Sequence, residues 1–275
     1  MRKLGFSLRT LKQIDRINAI LSNSDSLCSG LWVEDSSLET ESLEHKLFKN
    51  IDELIANSDI LIIDSTDDLK FEIASKAIKK GVTPILNNVY GVSGSALNQL
   101  QQLALEMGII IGIDQLGINY SDVTVPVDIP FIAHFKRFIS DETISFQTFK
   151  RTLLFDLASA LKISKLDIRK VRAYSIPLYA SEPNSLMVLI DFSNNSVITY
   201  TLQTNIENNS LDIEVCTSEN DQNFKHTYKS SIHNLSGEFA FTNLSLFNKI
   251  KTSENIDLAI ATTQVADTVL SKIKQ

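Results

Sequence analysis

The sequence predicts an α/β protein of two domains, the first built on a parallel sheet and the second an α+β domain with an open, mainly antiparallel sheet. Short apolar strands alternate with longer amphipathic segments over residues 1–120, as a parallel sheet flanked by helices requires. Pro126 and Pro130 then indicate a crossover between domains. Runs of strand type follow residue 165. We therefore place an N-terminal domain at residues 1–120 and a C-terminal domain at residues 121–275.

The first domain is expected to contain a series of short strands and the helices that connect them. The continuous apolar run at residues 59–65 is typical of a central strand that is covered on both faces. Gly81 and Gly108 are expected to end helices, because glycine readily adopts the left-handed conformation that closes a helix. The expected strands cover residues 3–6, 29–33, 47–50, 59–65, 83–88 and 109–113. The expected helices cover about 11–21, 50–58, 67–81 and 95–107.

The second domain is expected to consist of strands joined by tight turns, with one helix before them and one after. Its turns, "SEPNS", "SNNS" and "ENNS", are rich in residues that favour chain reversal, which predicts antiparallel pairing. The expected strands cover residues 168–178, 185–192, 196–204, 211–217 and 226–231, and the helices cover 149–163 and 258–274.

Side chains on both faces of two of these strands are apolar. One alternating set can pack on the domain's own helices. The other set, which includes Val188, Ile190, Ile198 and Tyr200, is too apolar for a freely solvated face. A subunit interface would remove it from water, so we expect a homo-oligomer held through the C-terminal sheet. The alternative is that the C-terminal helix covers this face within one chain.

Charge and cysteine content limit the classes of partner and site. The chain of 275 residues has a net charge of −7, which argues against a nucleic-acid groove or an anionic membrane surface as its main partner. It has neither a signal-peptide pattern nor a run of about 18 apolar residues, so we expect a cytoplasmic protein. Cys28 and Cys216 are far apart and lack metal-binding neighbours, so neither a disulfide nor a metal site is expected.

The order of segments resembles the glucose-fructose oxidoreductase, inositol dehydrogenase and MocA (Gfo/Idh/MocA) family over nearly the whole chain. Residues 47–88 are similar to the family stretch in which a short helix, a central strand and a crossover helix precede a strand ending at Glu-Lys-Pro. "LLFDLASALKI", "VRAYSIP" and the final helix look like the family's second domain in the same order. The resemblance implies a Rossmann-like NAD(P)-binding-type domain and a second domain whose open sheet packs against a partner subunit. It also implies hydride transfer to or from a sugar or polyol carbon.

The resemblance places a glycine-rich phosphate turn after the first strand, but "GFSLRT" at residues 5–10 contains a single glycine. Glycines let backbone amides approach the pyrophosphate at a helix N-terminus. Leu8 and Arg9 would instead crowd that space. One interpretation is that Ser7, Arg9 and Thr10 hold a phosphate through their side chains. The other, which we favour, is a turn that binds no phosphate.

Two further strand ends carry cofactor-binding candidates. Glu34 and Asp35 follow the second strand, where an acid would hold the adenosine ribose. They are equally compatible with a solvated strand edge. Ser65 and Thr66 end the central strand, where the family has a Thr-Pro pair beside the nicotinamide. We favour the alternative that Ser65 or Thr66 caps the following helix.

The family's Glu-Lys-Pro motif falls on Asn87, Asn88 and Val89, and its histidine at the head of the preceding helix falls on Lys70. Asn87 remains a cofactor-binding candidate and Asn88 a catalytic candidate. An amide has no proton to exchange near neutral pH, so Asn88 cannot repeat the chemistry of the lysine. Loss of a positioned acid or base typically costs about 10²- to 10⁴-fold in rate.

A second catalytic pattern of the family, Asp-x-x-x-His-x-x-Asp, falls on Phe149, Leu153 and Asp156. Asp156 alone matches, which makes it the second catalytic candidate. The alternative is a buried aspartate that pairs with Lys150 or Arg151 and has a structural role.

These replacements lead to a hypothesis with two alternatives. We expect a Gfo/Idh/MocA-type oxidoreductase fold with weakened or lost dehydrogenase activity, a pseudoenzyme that binds NAD(P) weakly or not at all and serves as a binding or assembly subunit. The first alternative is an active NAD(P)-dependent oxidoreductase with an altered site for a sugar- or polyol-like substrate. The second is a dimerisation scaffold. A small-molecule ligand is compatible with the pseudoenzyme hypothesis and with its first alternative, the active oxidoreductase.

Overall fold

A computed structural model describes most of the chain. The described residues are 2–10, 17–18, 20–21, 26–34, 45–87, 89–114, 129–140, 146–164, 167–176, 185–204, 209–219, 222–230 and 254–273. The chain divides into two compact units, Met1–Leu116 with Phe239–Ala261 and Gly117–Glu238 with Thr262–Gln275. The predicted crossover is largely outside the described residues, so the boundary at residue 120 stays a prediction.

The first unit has a parallel five-stranded sheet, as predicted. Its strands are β1 (Arg2–Leu8), β2 (Ser26–Val33), β3 (Ile60–Asp64), β4 (Thr83–Asn87) and β5 (Gly112–Asp114). Its helices are α1 (Ile51–Ala56), α2 (Asp67–Lys79) and α3 (Gly94–Met107). The expected short strand at 47–50 is reduced to a single parallel bridge between Leu47 and Leu31. Of the expected helix at 11–21, only four residues are described, and they are helical.

The strand order β2-β1-β3-β4-β5 puts β1 at the point where the order reverses direction. In open α/β sheets, ligands bind in the crevice outside the carboxyl ends of the strands at such a point. β1 and β3 are buried at the centre because their side chains are apolar on both faces. Gly5 is inside β1, where a Cβ would lie 2.2 Å from Ser58 Oγ. The glycine therefore allows close packing and is not part of a phosphate turn.

The second unit has a six-stranded mixed sheet in the order β11-β10-β6-β9-β8-β7. Its strands are β6 (Phe131–Ile139), β7 (Ile168–Ile176), β8 (Ser185–Phe192), β9 (Val197–Thr204), β10 (Ser210–Glu219) and β11 (Gln222–Ser230). Helix α4 covers Phe146–Ile163. Helix α5 covers Glu254–Ile273 and belongs to the first unit up to Ala261 and to the second from Thr262. Among the described pairings, β6 and β9 are parallel and the other four are antiparallel, so the expected mainly antiparallel sheet is confirmed.

Sequence reasoning missed β6, although this strand is internal to the sheet. Buried and more exposed residues alternate along it, but His134, Lys136 and Arg137 dilute its apolar pattern. Arg137 is on the buried face, against the usual pattern of a strand. Arg137 at an inward-facing position therefore interrupted the apolar alternation by which the strand would have been recognised.

The prediction of which side chains form the outer face of the C-terminal sheet was wrong. Val188, Ile190, Ile198 and Tyr200 are fully buried within the chain. The opposite face is the exposed one. An alternating pattern shows which residues share a face, but it cannot show which face is covered when both are apolar.

Candidate functional site

Hydrogen bonds within the chain join the carboxyl ends of the central strands of the first unit. Ser7 and Ser65 are buried, and their Oγ atoms are 2.5 Å apart. The backbone N–H of Arg9 donates to the carbonyl of Asp64 at 3.1 Å. Ser7 and Ser65 are brought together as a candidate site requires, but their hydroxyls bind each other.

The turn after β1 differs from its expected form in one respect. Leu8 is the last residue of β1 and packs in the hydrophobic core with Ile17 and Ile20. It therefore does not crowd a phosphate position, contrary to our expectation. Arg9 is exposed and Thr10 is half-buried immediately after the strand, so these two side chains stand where a glycine-rich turn would begin.

Glu34, the residue after β2, binds Thr66 at the carboxyl end of the sheet. Its Oε2 accepts from the backbone N–H of Thr66 at 3.0 Å, and its Oε1 accepts from the Thr66 hydroxyl at 2.8 Å. Its own N–H donates to the carbonyl of Leu8 at 2.9 Å. We call the two hydrogen bonds from Thr66 to the Glu34 carboxylate the Glu34–Thr66 contact. Both oxygens of this carboxylate, which the sequence analysis placed at a ribose position, are therefore engaged by the chain itself. Asp35 lies outside the described residues.

Helix α2 begins without the side-chain cap that we expected. Thr66 occupies the N-cap position, but among the described groups its side chain makes no capping hydrogen bond. The Thr66 hydroxyl donates to Glu34 and that of Ser65 bonds with Ser7. Asp67 and Asp68 in the first turn are favourably placed for the helix dipole.

The end of β4 is also buried, as is most of the described part of the loop after it. Asn87 is the last residue of β4, and its Oδ1 has no hydrogen-bond partner among the described residues. Asn88 lies outside those residues. In the loop, the carboxylate of Asp67 packs so closely on Gly91 that a Cβ there would lie 1.6 Å from Oδ2. Lys70, at the family's histidine position, is buried, and its Nζ is 3.1 Å from Asp67 Oδ1.

In the second unit, Asp156 is part of a buried polar cluster. Arg137 donates to its carboxylate through Nε at 2.8 Å and also through Nη2. The hydroxyl of Tyr200 donates to Oδ2 at 3.0 Å. Asp156, on α4, therefore pairs with Arg137 on β6, and not with Lys150 or Arg151 on its own helix.

This cluster is excluded from solvent, which affects its chemistry. Asp156 and Tyr200 have no exposed surface, and Leu153 at the family's histidine position is also fully buried. Burial, and next the negative charge of Asp156, raise the pKa of Tyr200 well above its ordinary value. A carboxylate that accepts three hydrogen bonds in the core is placed to organise the fold. Sequence reasoning missed Arg137 because it missed the strand that carries it.

Other classes of site have no support among the described residues. These residues contain no group of three or more His, Cys, Asp or Glu side chains that could hold a metal ion. Nor does any described helix have the length and apolar character needed to cross a membrane. Cys28 and Cys216 are free thiols, and burial raises the pKa of Cys28.

Comparison with known proteins identifies the fold. No family model matches the sequence. No curated protein matches it either. Among solved structures, a putative myo-inositol dehydrogenase from Sinorhizobium meliloti is similar with a TM-score of 0.76 and 8% identity, over 100% of this chain and 98% of that one.

Two further structures are similar over 98% of this chain. UDP-N-acetylglucosamine 3-dehydrogenase GnnA from Acidithiobacillus ferrooxidans has a TM-score of 0.72 and 14% identity, with 97% of its chain covered. GenD2 from gentamicin A biosynthesis, solved in complex with NAD, has a TM-score of 0.68 and 13% identity, with 93% covered. These structural neighbours are Gfo/Idh/MocA-type dehydrogenases, and this chain shares their two-domain fold.

Proposed function

We propose that this protein is an oxidoreductase-fold subunit that has lost NAD(P)-dependent hydride transfer and acts in binding or assembly. The observation that carries this proposal is the Glu34–Thr66 contact. In Rossmann-type domains an acid at this position accepts hydrogen bonds from the adenosine ribose. Both oxygens of Glu34 already accept hydrogen bonds from Thr66. A ribose would have to displace two bonds to a charged group, and such bonds contribute about 1.5–3 kcal/mol each.

The phosphate position supports the same proposal. Gly5 is inside β1, and the next two residues beyond the strand are Arg9 and Thr10. Without glycines in the turn, backbone N–H groups cannot approach a pyrophosphate closely. The binding free energy that backbone N–H groups ordinarily contribute at the pyrophosphate of a dinucleotide is therefore reduced.

The positions of the expected acid–base groups also support it. Asn88 replaces the lysine of the Glu-Lys-Pro motif, and Leu153 replaces the histidine of the second domain. Neither side chain exchanges a proton near neutral pH. Lys70 is buried against Asp67, and Asp156 against Arg137. The ionisable groups near the two motifs are thus engaged in pairs within the chain.

An assembly role is supported by the exposed face of the second sheet. Tyr174 and Met187 are cross-strand partners on this face, and Ile132 lies on the same side. Their exposed fractions are 53%, 40% and 50%. Tyr174 and Met187 are neighbours, and Ile132 lies two strands from Met187 on the same face. Large apolar side chains exposed on an open sheet face favour an interaction surface. We propose that a second copy of this chain covers it, which would give a homo-oligomer through the C-terminal sheet.

The experiment that tests this proposal is a titration with NADH and NADPH, in which binding is measured by calorimetry and by fluorescence. We expect dissociation constants weaker than about 1 mM, which corresponds to about −4 kcal/mol. GenD2, solved in complex with NAD, serves as the positive control of the same fold. Micromolar binding by this chain would overturn the proposal. It would favour the second candidate, an active NAD(P)-dependent oxidoreductase on a sugar- or polyol-like substrate.

A further inference from the structure

We infer that the Glu34–Thr66 contact is autoinhibitory: Thr66 occupies the carboxylate that would otherwise bind the vicinal hydroxyls of a nucleoside ribose. This inference rests on the proposed function, because it names what closes the same crevice. It goes beyond the proposed function in two points. A single residue, Thr66, blocks the carboxylate, and its replacement restores the binding of ligands that carry a ribose diol.

The contact crosses the crevice at the point where a ligand would enter. Glu34 follows β2 and Thr66 follows β3, and β1 lies between these two strands. Adjacent strands are about 4.8 Å apart, so the contact extends over about 10 Å across the carboxyl end of β1. The Glu34 side chain therefore lies over the strand end at which the order of the sheet reverses.

The donors of Thr66 match those of a ribose in number and kind. A vicinal diol offers two hydrogen-bond donors to one carboxylate, one for each oxygen. Thr66 does the same with its N–H and its hydroxyl, at 3.0 and 2.8 Å. Each carboxylate oxygen has two lone pairs, and Thr66 uses one on each. A diol that binds both oxygens along the directions occupied by Thr66 therefore has to displace it.

Thr66 also has a second use for its hydroxyl. A threonine at an N-cap ordinarily accepts a hydrogen bond from the second or third N–H of its helix. Among the described groups the Thr66 side chain makes no such bond. When the contact with Glu34 opens, the hydroxyl can cap α2, which offsets part of the lost interaction. Thr66 therefore has two alternative partners, one for a closed crevice and one for an open one.

The decisive variant is Thr66→Pro, which removes both donors. Thr66 has φ −61° and ψ 156°, and proline requires a φ of about −65°. The backbone at this position therefore accommodates the ring. Thr66→Val removes the hydroxyl and keeps the N–H, so it gives a graded comparison and also carries the test if Thr66→Pro does not fold.

The probe is adenosine, which has the diol but no diphosphate, and 2′,3′-dideoxyadenosine is the matched ligand without the diol. By ligand-observed NMR we expect Thr66→Pro to bind adenosine about ten- to a hundredfold more tightly than the unmodified protein, with a smaller gain for Thr66→Val. The gain should disappear in Glu34→Gln/Thr66→Pro and with the dideoxy ligand.

The outcomes separate this inference from the proposed function. No gain in a folded Thr66 variant, or a gain that persists without Glu34 or without the diol, would overturn the autoinhibitory contact alone. Micromolar binding of NADH by the unmodified protein would overturn the proposed function. Circular dichroism and urea unfolding of each variant establish that it is folded.

Discussion

Arg137 on β6 and Asp156 on α4 form a buried ion pair in which the Nε and Nη2 groups of the arginine both donate to one carboxylate. The Tyr200 hydroxyl, on β9, donates to the same carboxylate. The cluster therefore connects the only parallel pair among the described strands of the second sheet to α4. Removing two charges from water is costly, so we expect this pair to contribute less to net stability than to the choice of one packing arrangement.

Loss of one partner of this pair should be strongly destabilising. We expect Asp156→Leu to lower the free energy of unfolding by about 3–5 kcal/mol, because the Arg137 guanidinium is left buried without its carboxylate. Urea denaturation measures the change. The control is the double variant Arg137→Met/Asp156→Leu, which should lose less than the sum of the single changes. Additive losses would contradict a direct pairing.

The raised pKa of Tyr200 predicts a dependence of stability on alkaline pH. In the unfolded chain, Tyr200 loses its proton near its ordinary pKa of 10.0, whereas in the native state burial and the charge of Asp156 raise that pKa. Above about pH 10 the native state therefore holds a proton that the unfolded chain has lost. The contribution of Tyr200 to the free energy of unfolding is complete below that pH and decreases as the pH rises further. The slope for one group is at most about 1.4 kcal/mol per pH unit.

Phenylalanine at position 200 tests this dependence. We expect Tyr200→Phe to be less stable than the unmodified protein near neutral pH by about 1–3 kcal/mol, because the Asp156 carboxylate loses a hydrogen bond. Since phenylalanine does not titrate, the difference should narrow above about pH 10. Urea unfolding at several pH values from neutral to alkaline gives both curves. Parallel curves over that range would show that Tyr200 does not titrate differently in the two states.

Gly91 should not tolerate a side chain. A Cβ at this position would lie 1.6 Å from Oδ2 and 1.9 Å from Cγ of Asp67, so the loop or the carboxylate must move. We expect Gly91→Ala to reduce the free energy of unfolding by about 1–3 kcal/mol. In an Asp67→Ala background the same change should cost less, because the two closest colliding atoms, Oδ2 and Cγ, are absent and only Cβ, at 2.6 Å, remains. Equal costs in both backgrounds would place the strain elsewhere.

The proposed homo-oligomer makes a prediction for the exposed sheet face. We expect light scattering to give a mass above the 30.7 kDa of one chain, and Met187→Glu to shift it towards that value. Gln102→Glu, at an exposed position on α3, is the control and should leave the mass unchanged. A mass of 30.7 kDa that does not rise with concentration would rule out the oligomer. Ile198→Glu should instead unfold the chain, since Ile198 is buried.

Much of the fold followed from local patterns. The parallel sheet of the first unit was predictable because a continuous apolar run such as β3 requires helices on both faces. Hairpin turns predicted antiparallel pairing in the second unit. Strand β6 was not found, because an inward-facing Arg137 has no place in an apolar alternation unless its partner is known.

The sequence by itself determined most of the order of elements, the presence of a single glycine in residues 5–10, and the presence of Asn88 and Leu153 where the resembled family has lysine and histidine. Those features depend on residue type and on spacing along the chain. Only the tertiary structure decided what the remaining polar residues do. Glu34 contacts Thr66 between the ends of two strands, and Asp156 on α4 contacts Arg137 on β6. Which face of the second sheet is covered is also decided by the tertiary structure. Hydrogen bonds and burial depend on distances between segments that are remote in the chain, so neither composition nor periodicity specifies them.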